Sequence, residues 1–261
     1  AREWLRDPGL GTLGSGNHFL ELQVVDEILD PRLAFEWGVR RGQVAFMIHT
    51  GSRGVGRHVG NAWIDKARRR WPVGVRHPDA GIFALHGDDA VEYLAAVHTA
   101  ANYAFVNRLL LAELVRLRMR EVYRPDLEAP LVFDVPHNIV LREGDRFVHR
   151  KGATPAHAGQ PVLIPGSMGH SSYLAVGRGC PLTLSSASHG AGRALSRFEV
   201  GRRGPDDLGL EGVECITLKA ERLIEEAPAA YKPITPVVDV QVQAGVVARV
   251  ARMRPLLTFK A

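Results

Sequence analysis

Apolar residues fall in short bursts along this chain, and most bursts end at glycine, proline or histidine. Residues 11–25 run from a glycine-rich turn into HFLELQVV, whose alternation predicts a strand with one wet face. Residues 44–48, VAFMI, are continuously apolar and predict a short buried strand. That run stops at HTGSRG, where glycines permit a tight turn before a helix reaching to about Trp71. From 88 to 120 the three- and four-residue steps of Leu94, Val97, Ala101, Phe105, Leu109, Ala112 and Val115 predict one long helix, with Pro125 beyond its end. Further strands are predicted at 131–135, 146–149, 161–164 and 181–184, each closed by a polar or glycine-bearing loop. This order implies a mixed α/β, α+β class with a strand-rich core rather than a regular doubly wound sheet. With no internal repeat, low-complexity tract or flexible linker, residues 1–261 are expected to form a single domain.

Composition narrows the class. Of 261 residues, 46% are hydrophobic and 23% charged, a globular balance that argues against disorder. No apolar run reaches 18 residues, and the start AREWLRDPGL lacks the regions of a secretory signal, so a soluble cytoplasmic protein with no membrane partner is expected. Cys180 and Cys215 have no CxxC spacing and read as reduced core thiols. The net charge of +5 suits a polyanionic partner such as nucleic acid. Basic residues cluster at 66–70 and at Arg249, Arg252 and Arg254, and each cluster taken singly reads first as a solvated helix face.

Four histidines share one local context, just beyond an apolar run and beside small residues or an amide: His18, His49, His137 and His189. Strand ends commonly present active-site groups, and neutral imidazole binds zinc, manganese, iron, nickel or copper, so the quartet implies a metal or catalytic cluster. Two glycine loops, PGSMG at 165–169 and HGAGR at 189–193, are placed to aim backbone N–H groups at phosphate. Neither is a P-loop or a dinucleotide fingerprint, because GK[ST] and GxGxxG are missing. Histidines, phosphate cradles and basic charge together point to metal-assisted phosphoryl or nucleotidyl transfer.

The blocks GTLGSGNHFLE, MIHTGSRGVG, VPHNI, FVHRKGAT, IPGSMG, SHGAGRALSR and EAPAAYK occur in an order that resembles the RtcB family of RNA ligases, from Gly11 to Lys260. The resemblance implies an RtcB-like fold and an enzyme for tRNA splicing or RNA repair. Such an enzyme uses GTP and Mn2+ to join an RNA 3′-phosphate or 2′,3′-cyclic phosphate to a 5′-hydroxyl. It implies a covalent guanylate on His189, with Arg53 and Arg193 neutralising phosphate, and His18, His49 and His137 as manganese ligands. It maps the nucleotide onto Asn17, His18, Phe19, Leu20 and Glu21, then His137 and Asn138, then Pro165, Gly166, Ser167, Met168 and Ser172. Completing that set are His189, Gly190, Ala191, Gly192, Tyr231 and Lys260. Glu21 suits guanine, whose N1–H and N2 amine are donors. Arg193, four residues past His189, reaches the same phosphate if a helix starts there. RNA and an accessory activating protein are the implied partners.

The chain departs from the family at several points. The upstream Asp-x-x-Cys metal motif is absent, with only ten residues before Gly11; truncation is the expected reason, against a natural fragment or a degenerate homologue. Thr50 stands where serine is usual, Pro233 where an acidic residue is common, and Ala261 where glycine is expected. The alternatives to a ligase are a noncatalytic GTP- or RNA-binding module and a metal-dependent phosphohydrolase. His58, His77, His86 and His98 read as structural or solvent-facing, and His149 and His157 flank HRKGAT within possible reach of substrate.

Overall fold

The computed structural model describes residues 8–196, 199–200, 209 and 212–260, which leaves Ala261 and the first seven positions outside the described residues. Its strands in chain order are β1 (Phe19–Ile28), β2 (Val44–His49), β3 (Asn138–Glu143), β4 (Arg146–Lys151), β5 (Ala153–Pro155), β6 (Pro161–Ile164), β7 (Ser172–Gly177), β8 (Ser186–Ser188), β9 (Glu214–Thr217) and β10 (Val247–Lys260). The helices are α1 (Pro31–Glu36), α2 (Arg53–Arg69), α3 (Gly87–Val122) and α4 (Ile234–Gln243). The fold is mixed α and β, as expected.

Strand β10 is the spine of the main sheet, whose order is β2-β1-β10-β7-β6. Its first half pairs antiparallel with β7 and its last four residues pair parallel with β9, while β1 runs antiparallel along its other side. Two irregularities in the β1–β10 register, between Leu22 and Gln23 and between Val25 and Glu27, allow these long strands to bend. Two apolar clusters hold the sheet. On one face Ile234 and Val238 of α4 cover Val162, Ile164 and Ala175; on the other Ala34 of α1 and Val39 cover Val25, Leu174 and Ala251. Small ladders, β3–β4 and β5–β8, stand beside this sheet.

Several expectations change. Residues 131–135 join no strand ladder, and 181–184 form a 3-10 turn at Pro181–Thr183, where proline lacks the N–H that a ladder needs. Leu184 and Ser185 then take left-handed φ values of 49° and 48°, which turn the chain into β8. The wet face expected of β1 is inverted: Phe19, Glu21, Gln23 and Val25 point inward, so two polar side chains occupy the buried face. The apolar stripe of α3 also fills no closed core. Val97, Ala101, Phe105 and Ala112 line a cavity of 980 Å³ between α3 and β2, and Leu109 is 54% exposed.

The basic clusters are largely paired. Lys66 bonds Asp89 and Glu92, Arg70 bonds Asp89, Arg249 meets Asp239, and Arg252 meets Asp26 and Glu27. Arg249, Arg252 and Arg254 lie on a strand, not a helix. Both cysteines are free and only partly buried. No helix of the described residues is long and apolar enough to cross a membrane.

Candidate metal and nucleotide site

Strand ends deliver the four histidines. His49 closes β2, directly opposite Phe19 in the β1 register, and His18 immediately precedes that strand. His137 precedes β3 and His189 follows β8; the 152–153 turn lies between them, with Ala153 N donating to His137 O and His189 N to Gly152 O. The rings of His137 and His189 stack at 3.9 Å with 17° between planes. His49 stands nearly perpendicular to both, at 5.0 and 5.7 Å, and its Nε2 lies 3.0 Å from Nε2 of His137.

One nitrogen from each of His49, His137 and His189 falls within a 4.8 Å group, a spacing that suits a shared cation. His18 sits outside that group with its ring 5.9 Å from His49. The structure therefore brings His189 into the trio with His49 and His137, and leaves His18 beside it rather than within it. The Nδ1 atoms of all four are buried with no hydrogen bond of good geometry, although backbone oxygens lie close enough at His18 (Leu13), His137 (its own) and His189 (Gly152) to act on the rings. At His49 no such oxygen is near, a costly state for a polar atom unless a ligand completes it.

Electrostatics keep these rings neutral. Burial is the main cause of a lowered pKa at His18, His49, His137 and His189. His49 lies well below its ordinary value, and His137 falls to about 4, each helped by its histidine neighbours. Neutral imidazole has a free lone pair, the form required both of a metal ligand and of a nucleophile. Asn138 supports the arrangement from outside: its Oδ1 accepts from Gly152 N at 3.0 Å, and the ring of His189 rests against Gly152, whose φ is +67°.

A second group converges from β1, β10 and the 165–172 turn. Glu21 is 2% exposed; its two oxygens accept from Gln23 Nε2 at 2.6 Å and Thr258 Oγ1 at 2.7 Å. Burial pushes its pKa up to about 7 against the opposing pull of those bonds and of Lys260. Gln23 also donates to Ser172 Oγ at 3.0 Å, and Ser172 accepts from Gly166 N at 3.1 Å, so one network ties β1 to the glycine turn. Gly166 has backbone oxygens of His170 and Ser171 where a Cβ would stand, which explains the glycine. Ser167 bonds His170 Nδ1 at 2.7 Å, and Met168 is buried against Cys215. Lys260 donates to Gly16 O at 3.0 Å; burial lowers its pKa. The two glycine loops meet, since a Cβ on Gly190 would lie 3.6 Å from Pro165 O.

Both arginines have local partners. Arg53 takes a left-handed φ of 53°, donates from Nε to Thr12 Oγ1 at 3.0 Å, and lays its guanidinium over Gly14. No helix begins at His189. Arg193 bridges to Tyr231 and donates to Leu195 O, Glu225 O and Glu226, while Tyr231 OH donates to Glu226 Oε2. The Arg193 guanidinium lies 5.2 Å from the Tyr231 ring centroid, so it anchors that segment.

Asn17 and Asn138 are exposed at the rim, and Leu20 is partly exposed. His149 stacks on Tyr93 at 6.0 Å and His157 meets Glu143 at 3.3 Å, while His98 meets Val140 O at 2.8 Å. Sequence reasoning missed Gln23, Thr258, Glu226, Asn107 and Arg108; the available signal was a polar residue where periodicity asks for an apolar one.

A family model described as "tRNA-splicing ligase RtcB" matches residues 3–261. The tRNA-splicing ligase RtcB of Pyrococcus furiosus is 41% identical over 286 aligned positions, covering 95% of this chain and 29% of that protein. Those of Thermococcus kodakarensis and Archaeoglobus fulgidus are 39% and 40% identical, each covering 95% of this chain and 59% of the relative. The chain thus spans about three-fifths or less of the length of these relatives. With one family model covering nearly every residue and relatives at this identity, the chain belongs to the RtcB family.

Proposed function

We propose that this chain carries the metal- and GTP-dependent centre of an RNA ligase joining a 3′-phosphate or 2′,3′-cyclic phosphate end to a 5′-hydroxyl. The observation that carries the reading is the convergence of His49, His137 and His189, with buried ring nitrogens, close to the buried Lys260 that also faces Glu21. Imidazole donors fit a divalent first-row ion; His49 and His137 are assigned to hold it, with the neighbouring His18 as third ligand, and the third ring of the group, His189, is kept for the nucleotide. Manganese is the ion assigned on family grounds, since imidazole alone does not select among such ions. Bound there, the ion supplies Lewis-acid offset of phosphoryl charge.

His189 serves as the nucleophile. Its ring nitrogen bonds the α-phosphorus of GTP as the bond to the bridging oxygen breaks and pyrophosphate leaves with that electron pair. A 2′,3′-cyclic end is first opened by water, which bonds its phosphorus as the P–O2′ bond breaks and O2′ takes a proton. An oxygen of the RNA 3′-phosphate then attacks the guanylate phosphorus, the N–P bond breaks, and His189 is regenerated. Finally the 5′-hydroxyl oxygen bonds the 3′-phosphorus, GMP departs, and the hydroxyl proton passes to solvent or a nearby base. Burial keeps His189 unprotonated for the first step. Glu21 is assigned to guanine, with Thr258 and Gln23 holding its oxygens in place. Arg53 is assigned to phosphate charge, and Arg193 to positioning Tyr231 through Glu226. Asn17, His18, Phe19, Leu20, His137, Asn138, Pro165, Gly166, Ser167, Met168, Ser172, Gly190, Ala191, Gly192, Tyr231 and Lys260 complete the assigned nucleotide site.

The test uses α-labelled GTP with Mn2+ on the chain and, alongside it, on the longer family polypeptide. Acid-labile protein label that disappears in His189→Ala supports the ligase. Reversible binding without covalent label indicates a binding module, and steady release of free phosphate indicates a hydrolase; either overturns the proposal.

A further inference from the structure

Helix α3 carries a side chain that neither the ligand set nor the nucleotide site uses. Asn107 is 0% exposed, in a stretch whose neighbours Phe105, Val106 and Leu109 are apolar. Its amide is saturated. Oδ1 accepts from Gly11 N at 2.7 Å and Thr12 N at 3.2 Å, while Nδ2 donates to Thr12 O and Gly51 O, each at 3.1 Å. Two acceptor and two donor sites are all that a carboxamide offers, so these four bonds use every one, with Thr50 Oγ1 a longer fifth contact of Nδ2 at 3.5 Å.

The two segments it joins are separated in sequence but adjacent at the histidines. Residues 11–13 lead through Gly14 into Asn17 and His18. Thr50 and Gly51 lie between His49 and Arg53. Other bonds close the same joint: Thr50 Oγ1 donates to Leu13 O at 2.6 Å, Arg53 Nε to Thr12 Oγ1 at 3.0 Å, and Arg108 Nη1 to Thr50 O at 3.1 Å. Each of these links spans one pair of partners, whereas Asn107 fastens both loops to one rigid helix at once.

We infer that Asn107 is a positioning residue that sets the spacing between the His18 loop and the His49–Arg53 loop, and through it the geometry of the metal and phosphate site. Its metal consequence rests on the function proposed above; its geometric consequence does not. Aspartate is the informative substitution, because it keeps the shape and both acceptors for Gly11 and Thr12 but turns an oxygen toward the carbonyls of Thr12 and Gly51. Leucine removes both halves and leaves buried backbone groups unpaired.

The experiment compares parent, Asn107→Asp and Asn107→Leu by histidine-ring NMR without metal, by circular dichroism, and by Mn2+ titration. In folded Asn107→Asp the His18 and His49 ring resonances are expected to shift while that of His98, on the same helix, stays. Mn2+ affinity is expected to fall roughly tenfold or more, as for groups that orient metal ligands. Should Asn107→Leu not fold, the aspartate variant alone decides. Unmoved His18 and His49 resonances in a folded variant overturn the inference, as does parent-like Mn2+ affinity. If the parent binds no Mn2+ but the rings move on substitution, the positioning role stands and the metal assignment falls.

Discussion

Glu21→Gln isolates one buried charge and gives a stability change with a definite sign. Glu21 is 2% exposed, and burial, opposed by Thr258, Gln23 and Lys260, raises its pKa from 4.5 to about 7. A carboxyl whose pKa rises on folding favours the folded state below its unfolded value and loses that contribution as pH climbs through its folded value. At about 1.4 kcal/mol for each pH unit separating the two values, ionisation at pH 8 costs about 3 kcal/mol, against less than about 1 kcal/mol at pH 5. Glutamine cannot ionise, yet its carbonyl still accepts from Gln23 and its amide donates to the Thr258 hydroxyl. The stability of Glu21→Gln relative to the parent is therefore expected to improve by about 2–3 kcal/mol between pH 5 and pH 8. For a chain of this size that is roughly 5–10 °C in Tm. Thermal or urea unfolding of both proteins across that interval, with chelator present, makes the measurement; histidine titration is common to the two and cancels. A pH-independent difference refutes the reasoning, because it means the Glu21 carboxyl is solvated or already compensated.

Three further results are expected. Gln23→Met keeps the shape of a fully buried side chain but strips donors from Glu21 and Ser172, and urea unfolding should show a loss of about 1–3 kcal/mol for each group left unpaired. Gly14→Ala places a methyl group on the Arg53 guanidinium at a backbone with φ +88°; a loss of about 1–3 kcal/mol and weakened GTP binding are expected, and parent-like stability would show that Arg53 rests elsewhere. Saturating Mn2+ should raise the unfolding free energy by about 2.7 kcal/mol at a hundredfold excess over Kd in the parent but not in His49→Ala; equal protection of both would move the ion away from the trio.

The regular elements were legible because their periods are strong. The 88–120 stripe lies within Gly87–Val122, and VAFMI lies within β2. What stayed hidden depends on contacts distant in sequence. Strand β10, with Arg249, Arg252 and Arg254 interleaved among apolar residues, resembles a basic surface until Asp239, Asp26 and Glu27 are seen opposite it. Glu21 and Gln23 fit a wet face by hydropathy; indoors they bond each other and reach Thr258 and Ser172, more than a hundred residues away. The histidines were legible as strand-end residues, but their grouping was not. Stacking of His137 on His189 comes from the 152–153 turn that holds both strand ends, a relation no local pattern encodes. Asn107 illustrates the same limit, since its four partners lie 56 to 96 residues away.

Mapping the site of guanylylation tests the central assignment most directly. The chain and the longer family polypeptide are incubated with GTP and Mn2+, digested without acid exposure, and sequenced by mass spectrometry. The expected result is a single acid-labile guanylate on the His189 imidazole, absent when that residue is alanine. A guanylate mapped to Lys260 or Lys151 instead, also an acid-labile phosphoramidate, would contradict the account and recast the histidines as metal ligands alone.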